Sequence, residues 1–450
     1  MIKTSAIFLF LNYCLGKKVD MSMVVAKIDW RQLYNFASRQ ALLGFCFDGI
    51  ERLTKEFSEE LKQNPMGRDL LMTWMGAAQQ IRRQNMKVNA VAGKLYSKFR
   101  EDGLRCCILK GQGNALMYPN AYSRNPGDID VWVNASKEDI TEYAKRHFNL
   151  EDDIRFHHLE TSLDGVPVEL HFFPCTMNNP IYNARLQKWF KRNADLQCSN
   201  VVSLPDGIGE IAIPTSAFNV IYQLTHLYHH FFDEGIGMRQ IIDYYYVVRD
   251  FYKVYQNSSK ITPSLFTIKE GSTSHPDPLS LRGEGGNRPT RCSEPLRSKD
   301  GGSSKVSPNC AGWGRLTIEG DNSAGSTTAV TSYASTALDV VQRELKYLGL
   351  WKFAGAVMYV LHEALGLPEE KMIAPMDEKR GKLLLAEILN GGNFGKHFTK
   401  YGHFTQQGMA KKYFLKIWRN MHFVRYYPAE ALSEPIFRTW HFFWRMKNKK

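Results

Sequence analysis

Asp128 and Asp130 stand one residue apart in the run Gly127-Asp-Ile-Asp-Val-Trp-Val. An apolar alternation of this kind predicts a strand over Asp128–Val133, and residues i and i+2 of a strand share a face. Two carboxylates side by side repel each other unless a cation lies between them. Upstream, Arg105–Leu109 reads as a buried strand, and Lys110-Gly111-Gln112-Gly113 as a glycine turn opening a short helix. Backbone N–H groups of such a turn can hold phosphate oxygens. Lys110 and Arg124 flank turn and aspartates, so either can neutralise a β- or γ-phosphate, and Gly127 is expected to let the chain turn tightly. Downstream, Val168-Glu169-Leu170-His171 places an acid between apolar residues, where an unpaired charge is costly.

Together these groups fit metal-dependent nucleotidyl transfer. Two Mg²⁺ ions about 3.5–4 Å apart can stabilise both the attacking and leaving oxygens of such a displacement, and Mg²⁺ prefers oxygen ligands. Asp128, Asp130 and Glu169 are the expected catalytic and metal-binding acids, with Mn²⁺ the alternative ion. Lys110, Gly111, Gly113 and Arg124 are the expected nucleotide-binding residues. His171 shares a strand face with Glu169 and is a candidate for orienting a ligand or touching substrate. Arg239 and Asp243, charged residues four apart in an otherwise apolar helix, either pair with each other or face substrate.

The elements needed to position these residues follow from periodicity. Residues 24–103 read as helical. A long amphipathic segment runs from Arg68 to about Glu101, with Leu71, Trp74, Met75, Ala78, Ile81 and Met86 as its stripe and Gly103 as its stop. Residues 104–205 carry the strands. Ser136 is expected to cap a helix over Lys137–Phe148, and Asp164-Gly165 between two alternating runs predicts a hairpin of Ile154–Leu163 with Val166–Phe172. Residues 206–256 and 337–450 are helical again. Between them, 257–336 is rich in Ser, Gly, Thr, Pro and Asn, has no apolar period, and is expected to be a disordered insertion. The fold class is therefore α+β: a small mixed sheet flanked by helical regions.

The blocks LKGQGNALMYPN, RNPGDIDVWV and VELHFFP resemble the bacterial family of uncharacterised nucleotidyltransferases, within the polymerase-beta-like superfamily. HLYHHFFDEGIGMRQIIDYY and GLWKFAGAVMYVL are similar to later blocks of that family. The resemblance runs from about Trp30 to Tyr252 and from Leu338 onward. It implies transfer of an NMP from an NTP to a hydroxyl acceptor, with Asp128, Asp130 and Glu169 as the metal-binding acids. Gln112 stands where the superfamily usually has a second Gly or Ser, which puts the phosphate contacts of the turn in question. The rival expectation is a nucleotide- or RNA-binding protein that keeps the fold without the chemistry.

The remaining composition narrows the class. At 450 residues, with 44% hydrophobic and 23% charged residues, the chain is of ordinary globular make-up. A net charge of +13 favours anionic partners. Basic, aromatic C-terminal helices make nucleic acid one such partner. The eight cysteines include no CxxC pair, which argues against a zinc–thiolate site and for reduced residues in a cytoplasmic protein. No Glu follows His226, so the zinc-protease pattern is absent and the histidines at 157, 158, 226, 229 and 230 read as structural. Asn390–Lys396 lacks the spacing of a phosphate loop. Residues 1–23, with a short apolar run and no cleavage site, are expected to be an extension preceding a start at Met21 or Met23. No segment approaches the length of a membrane span.

Overall fold

In the computed structural model, helices build the approach to the sheet. They are α1 (Thr4–Cys14), α2 (Ser22–Val25), α3 (Trp30–Arg39), α4 (Leu43–Glu56), α5 (Ser58–Gln63) and α6 (Arg68–Glu101). The structure describes residues 4–150, 156–256, 326–398 and 409–448. Apart from the first four residues of the helix that starts at Ser326, the described residues belong to one compact unit. The sheet region comprises β1 (Cys106–Leu109), α7 (Gly111–Ala115), β2 (Ile129–Val133), α8 (Lys137–His147), β3 (His158–Leu163) and β4 (Val166–His171). Then follow α9 (Pro180–Ser199), the small pair β5 (Val201–Ser203) and β6 (Glu210–Ala212), α10 (Ser216–Asp233) and α11 (Met238–Gln256). The chain continues with α12 (Ser326–Tyr347), α13 (Trp351–Leu365), α14 (Glu378–Gly391), α15 (Met409–Met421) and α16 (Pro428–Asn448). The fold is α+β. The insertion expected at 257–336 lies outside the described residues as far as 325.

The main sheet has the order β1-β2-β4-β3, with β2 and β4 parallel and both other pairs antiparallel. Strand alternation divides its faces. Cys106, Ile108, Ile129, Val131, Val133, Leu159, Val166, Val168 and Leu170 point into one core, packed on Val88, Ala92, Leu95 and Phe99 of α6 and Ile140 and Ala144 of α8. The opposite face carries Asp130, Glu169 and Glu160 in one cross-strand row and Trp132, His171 and His158 in the next. Asp164 and Gly165 have φ of 50° and 71°, as a two-residue type I′ turn requires, and this fixes Leu163 opposite Val166.

The buried stripe of α6 differs from the expected one. Leu71, Met75 and Met86 are exposed, while Asn85 and Asn89 are buried. The polar pair is buried because it holds the site's loops. Asn85 Nδ2 donates to the carbonyls of Tyr122 (2.8 Å) and Arg124 (2.7 Å), and Asn89 Oδ1 accepts from Gln112. Gly103, at φ +76°, ends the helix, and the N–H of Leu104 returns to Phe99 O. Ser136 caps α8 through the N–H of Asp139.

The first residues, expected as an extension, form α1. Phe10, Leu11 and Tyr13 are buried, and the helix packs on α4 and α13. Asn12 donates to Ala364 O, and Arg52 lies over the Tyr13 ring. Among the described residues no helix is long and apolar enough to cross a membrane. Cys14, Cys46, Cys106, Cys107, Cys175 and Cys198 are buried free thiols, while Cys292 and Cys310 lie outside the described residues.

Candidate active site

Parallel pairing of β2 with β4 puts Asp130 opposite Glu169. Asp128 lies just before β2, which starts at Ile129, one residue later than expected. Asp130, Glu169 and His171 each bring a ligand atom within 4.8 Å of the others, and Asp128 is close enough to feel the charges of Asp130 and Glu169. Asp130 pushes the carboxyl of Asp128 up to about 6, with burial adding to the effect. Asp130 itself is buried, which would raise its pKa, but Lys110 and His171 more than compensate and hold it below the carboxylate range.

Two protein cations meet Asp130. Lys110 Nζ is 2.9 Å from Asp130 Oδ1 and donates to His226 Nε2 at 3.2 Å. Burial works against its charge, yet Asp130, Asp128 and Glu169 raise its pKa overall. His171 Nε2 lies 3.0 Å from Asp130 and 3.2 Å from Glu169. Burial opposes the imidazolium, but these two carboxylates push it up to about 9. Lys110 also has φ +53°, and Gly111 after it φ +41°, so the strained turn sits at the lysine. Gly127, by contrast, has neither a positive φ nor any atom where a Cβ would fall, so the tight turn is not there. Gly113 is required by close approach, since a Cβ would come within 2.9 Å of Ile213.

Arg124 does not present a free guanidinium to the aspartates. Its Nε and Nη2 each donate to Asp243 at 2.8 Å, and Nη1 reaches Asn125 O at 3.4 Å. Tyr118 donates to the same carboxylate at 2.7 Å. Asp243 thus joins α11 to the loop before β2, and its hydrogen bonds go to Arg124 and Tyr118 and not to Arg239. Arg239 is 9% exposed, with Nη1 on Asn125 O at 3.2 Å and Nε buried without a partner among the described residues. Its guanidinium lies over the ring of Phe394, 5.6 Å away. Burial and Arg124 lower its pKa, while Asp243 and Asp128 act in the opposite sense. Gln112 turns its side chain to Asn89 and so anchors the turn to α6.

Sequence reasoning missed Glu160 and the joining of the two histidine groups. Glu160 faces Glu169 across β3–β4, and His158 lies between them, 3.4 Å from Glu160 and 3.3 Å from Glu169. The two-residue Asp-Gly turn already specified this register, so Glu160 was derivable. The rings of His157 and His229 are 6.5 Å apart, and those of His229 and His230 are 5.6 Å apart. Burial keeps His157, His226, His229 and His230 below the usual imidazole pKa. They are neutral polar walls around the acids.

A sheet face that gathers Asp128, Asp130 and Glu169 beside a glycine turn agrees with what the sequence matches. The family described as "Uncharacterised nucleotidyltransferase" matches residues 26–258, just over half of the chain. The chain belongs to this family. No curated protein and no solved structure matches it. As a nucleotidyltransferase it is an enzyme, and the family match spans α3 to α11, which includes every residue of the site named so far except Phe394.

Proposed function

We propose that this nucleotidyltransferase moves an NMP from an NTP to a hydroxyl of an acceptor and releases pyrophosphate, in a reaction dependent on Mg²⁺ or Mn²⁺. The observation that carries the reading is the pairing of Asp130 with Glu169, next to an Asp128 whose carboxyl Asp130 pushes up to about 6. Such mutual repulsion is what a divalent cation relieves, and Asp130 and Glu169, whose ligand atoms lie within 4.8 Å of each other and of one from His171, supply oxygens that a hard ion prefers. When bound, the ions supply Lewis-acid neutralisation of the phosphate charge.

The residues of the chain do the rest. Glu169 lies across β2 from the glycine turn and takes the acceptor side, where it receives the hydroxyl proton. The acceptor oxygen bonds to the α-phosphorus as the bond to the bridging α–β oxygen breaks. Lys110, now on Asp130, turns to the leaving phosphates, and N–H groups at Gly111 and Gly113 hold them. Arg239 joins Lys110 as a phosphate ligand, because a buried guanidinium without a carboxylate of its own calls for an anion. Arg124 acts through Asp243, fixing the loop that carries Asp128. His171 fixes the carboxylates of Asp130 and Glu169.

The test is pyrophosphate release from each NTP, with cell extract as the source of acceptors. Release that needs a divalent ion and is lost in Asp128→Asn supports the reading. Metal-dependent NTP binding with no release across a broad acceptor panel supports the inactive binding protein.

A further inference from the structure

Beside the carboxylates lies a set of ligands of a different chemical kind. We propose that His157, His158 and His171 bind a borderline divalent ion of the zinc class, adjacent to the carboxylate site and distinct from it. His158 and His171 are register partners on β3 and β4, so both project from the polar face. Their ring centres are 5.1 Å apart, and that of His157 lies 4.2 and 5.6 Å from them. One ring nitrogen of each lies within 4.8 Å of one from each of the others. Zinc–nitrogen bonds of about 2.0–2.1 Å in tetrahedral geometry need nitrogens about 3.4 Å apart, which small ring rotations reach.

A second observation points to a ligand. His171 is 3% exposed, and its Nδ1 is buried with no hydrogen-bond partner among the described residues. Its Nε2 meanwhile faces Asp130 and Glu169. A metal-bound imidazole commonly gives its other N–H to a carboxylate, which sets the ring's orientation and raises its basicity. His171 has that second interaction already, and the nitrogen it leaves over is the one a metal would take. Of the three histidines His157 borders a cavity of about 150 Å³, which Thr176, Asn178, His229, Asp233 and Arg438 also line. Imidazole nitrogen selects zinc-class ions over Mg²⁺, so the two sites would load different metals.

The experiment uses the full-length chain, stripped of metal by chelator and then held in excess Mg²⁺. Equilibrium dialysis with Zn²⁺ should retain one ion per chain against the Mg²⁺. Co²⁺ in its place should give the intense visible absorption of a tetrahedral, nitrogen-ligated ion. His157→Gln should weaken Zn²⁺ binding at least tenfold with the metal-free melting temperature unchanged. Asp128→Asn, which strikes the Mg²⁺ ligands alone, should leave Zn²⁺ uptake intact, so the result stands whether or not nucleotidyl transfer is the reaction. No Zn²⁺ retained in Mg²⁺, or equal affinity in His157→Gln, overturns the proposal. So does a weak, octahedral Co²⁺ spectrum from the unsubstituted chain, a measurement that does not depend on any variant folding.

Discussion

Two buried arginines near the site have opposite partners. Arg124 has a bidentate carboxylate, and Arg239 has a carbonyl, an aromatic face and an Nε without a partner among the described residues. Removing the carboxylate from the first, by Asp243→Asn, leaves a buried guanidinium uncompensated and should cost about 3–5 kcal/mol of stability, read from a denaturant midpoint. Arg239→Gln removes a charge that has no carboxylate of its own, so its stability should change by less than about 1 kcal/mol. If it binds phosphate, KM for NTP should rise about tenfold or more with the fold retained. An unchanged KM would remove Arg239 from the site. Sequence alone could not assign these roles. Arg124 and Asp243 are 119 residues apart, and nothing local marks which cation a distant carboxylate will take. Asp130 and Glu169 were legible because period-two alternation names the face, and Glu160 was legible through the Asp-Gly register.

The elements that hold the site are not all ones that apolar periodicity reveals. The stripe of α6 was misread where Asn85 and Asn89 replace apolar residues, since their burial depends on carbonyls and an amide supplied from other segments. Helix α1 packs through a short apolar run whose partners on α4 and α13 lie far away in sequence. Its burial gives a direct test. Leu11, at 0% exposure, lies in α1, which packs on α4 and α13. Leu11→Ala should lower stability by about 2–5 kcal/mol, read from a urea midpoint; a change under 0.5 kcal/mol would mean that α1 is dispensable.

A second test at this scale concerns α16. Glu430 is buried in its first turn and accepts the N–H of Asn178 (2.6 Å) and Asn179 (3.2 Å). Burial, opposed by those bonds, pushes its carboxyl from 4.5 up to about 7. The native chain therefore binds more protons here than the unfolded one between these values. Its stability should fall as pH rises through that window and level off above it, by on the order of 1–3 kcal/mol. Glu430→Gln should flatten this dependence between pH 5 and 8, and an unaltered pH profile would rule out Glu430 as its source.

For the whole molecule, the family match covers residues 26–258 and so takes in the sheet and α3 to α11. We propose the division into an N-terminal helical region (24–103), a nucleotidyltransferase core (104–205) and a C-terminal helical domain (206–256 with 337–450). We propose that the segment between the two parts of that last domain is separable from catalysis. Replacing 257–325 by a short flexible linker should leave metal-dependent NTP affinity within about threefold, since loop-closure cost changes slowly with length. Lost affinity in a soluble product would assign that segment a part in the site.

Asp128, Asp130 and Glu169 are proposed to form one metal-dependent transfer site. The most direct measurement incubates the chain with NTP labelled at the α-phosphate, Mg²⁺ and cell extract, beside Asp130→Asn under the same conditions. Label should join an acceptor with release of pyrophosphate, and this should be abolished by chelator and reduced at least a thousandfold in the variant. Equal labelling by Asp130→Asn, with its fold intact by circular dichroism, would contradict it.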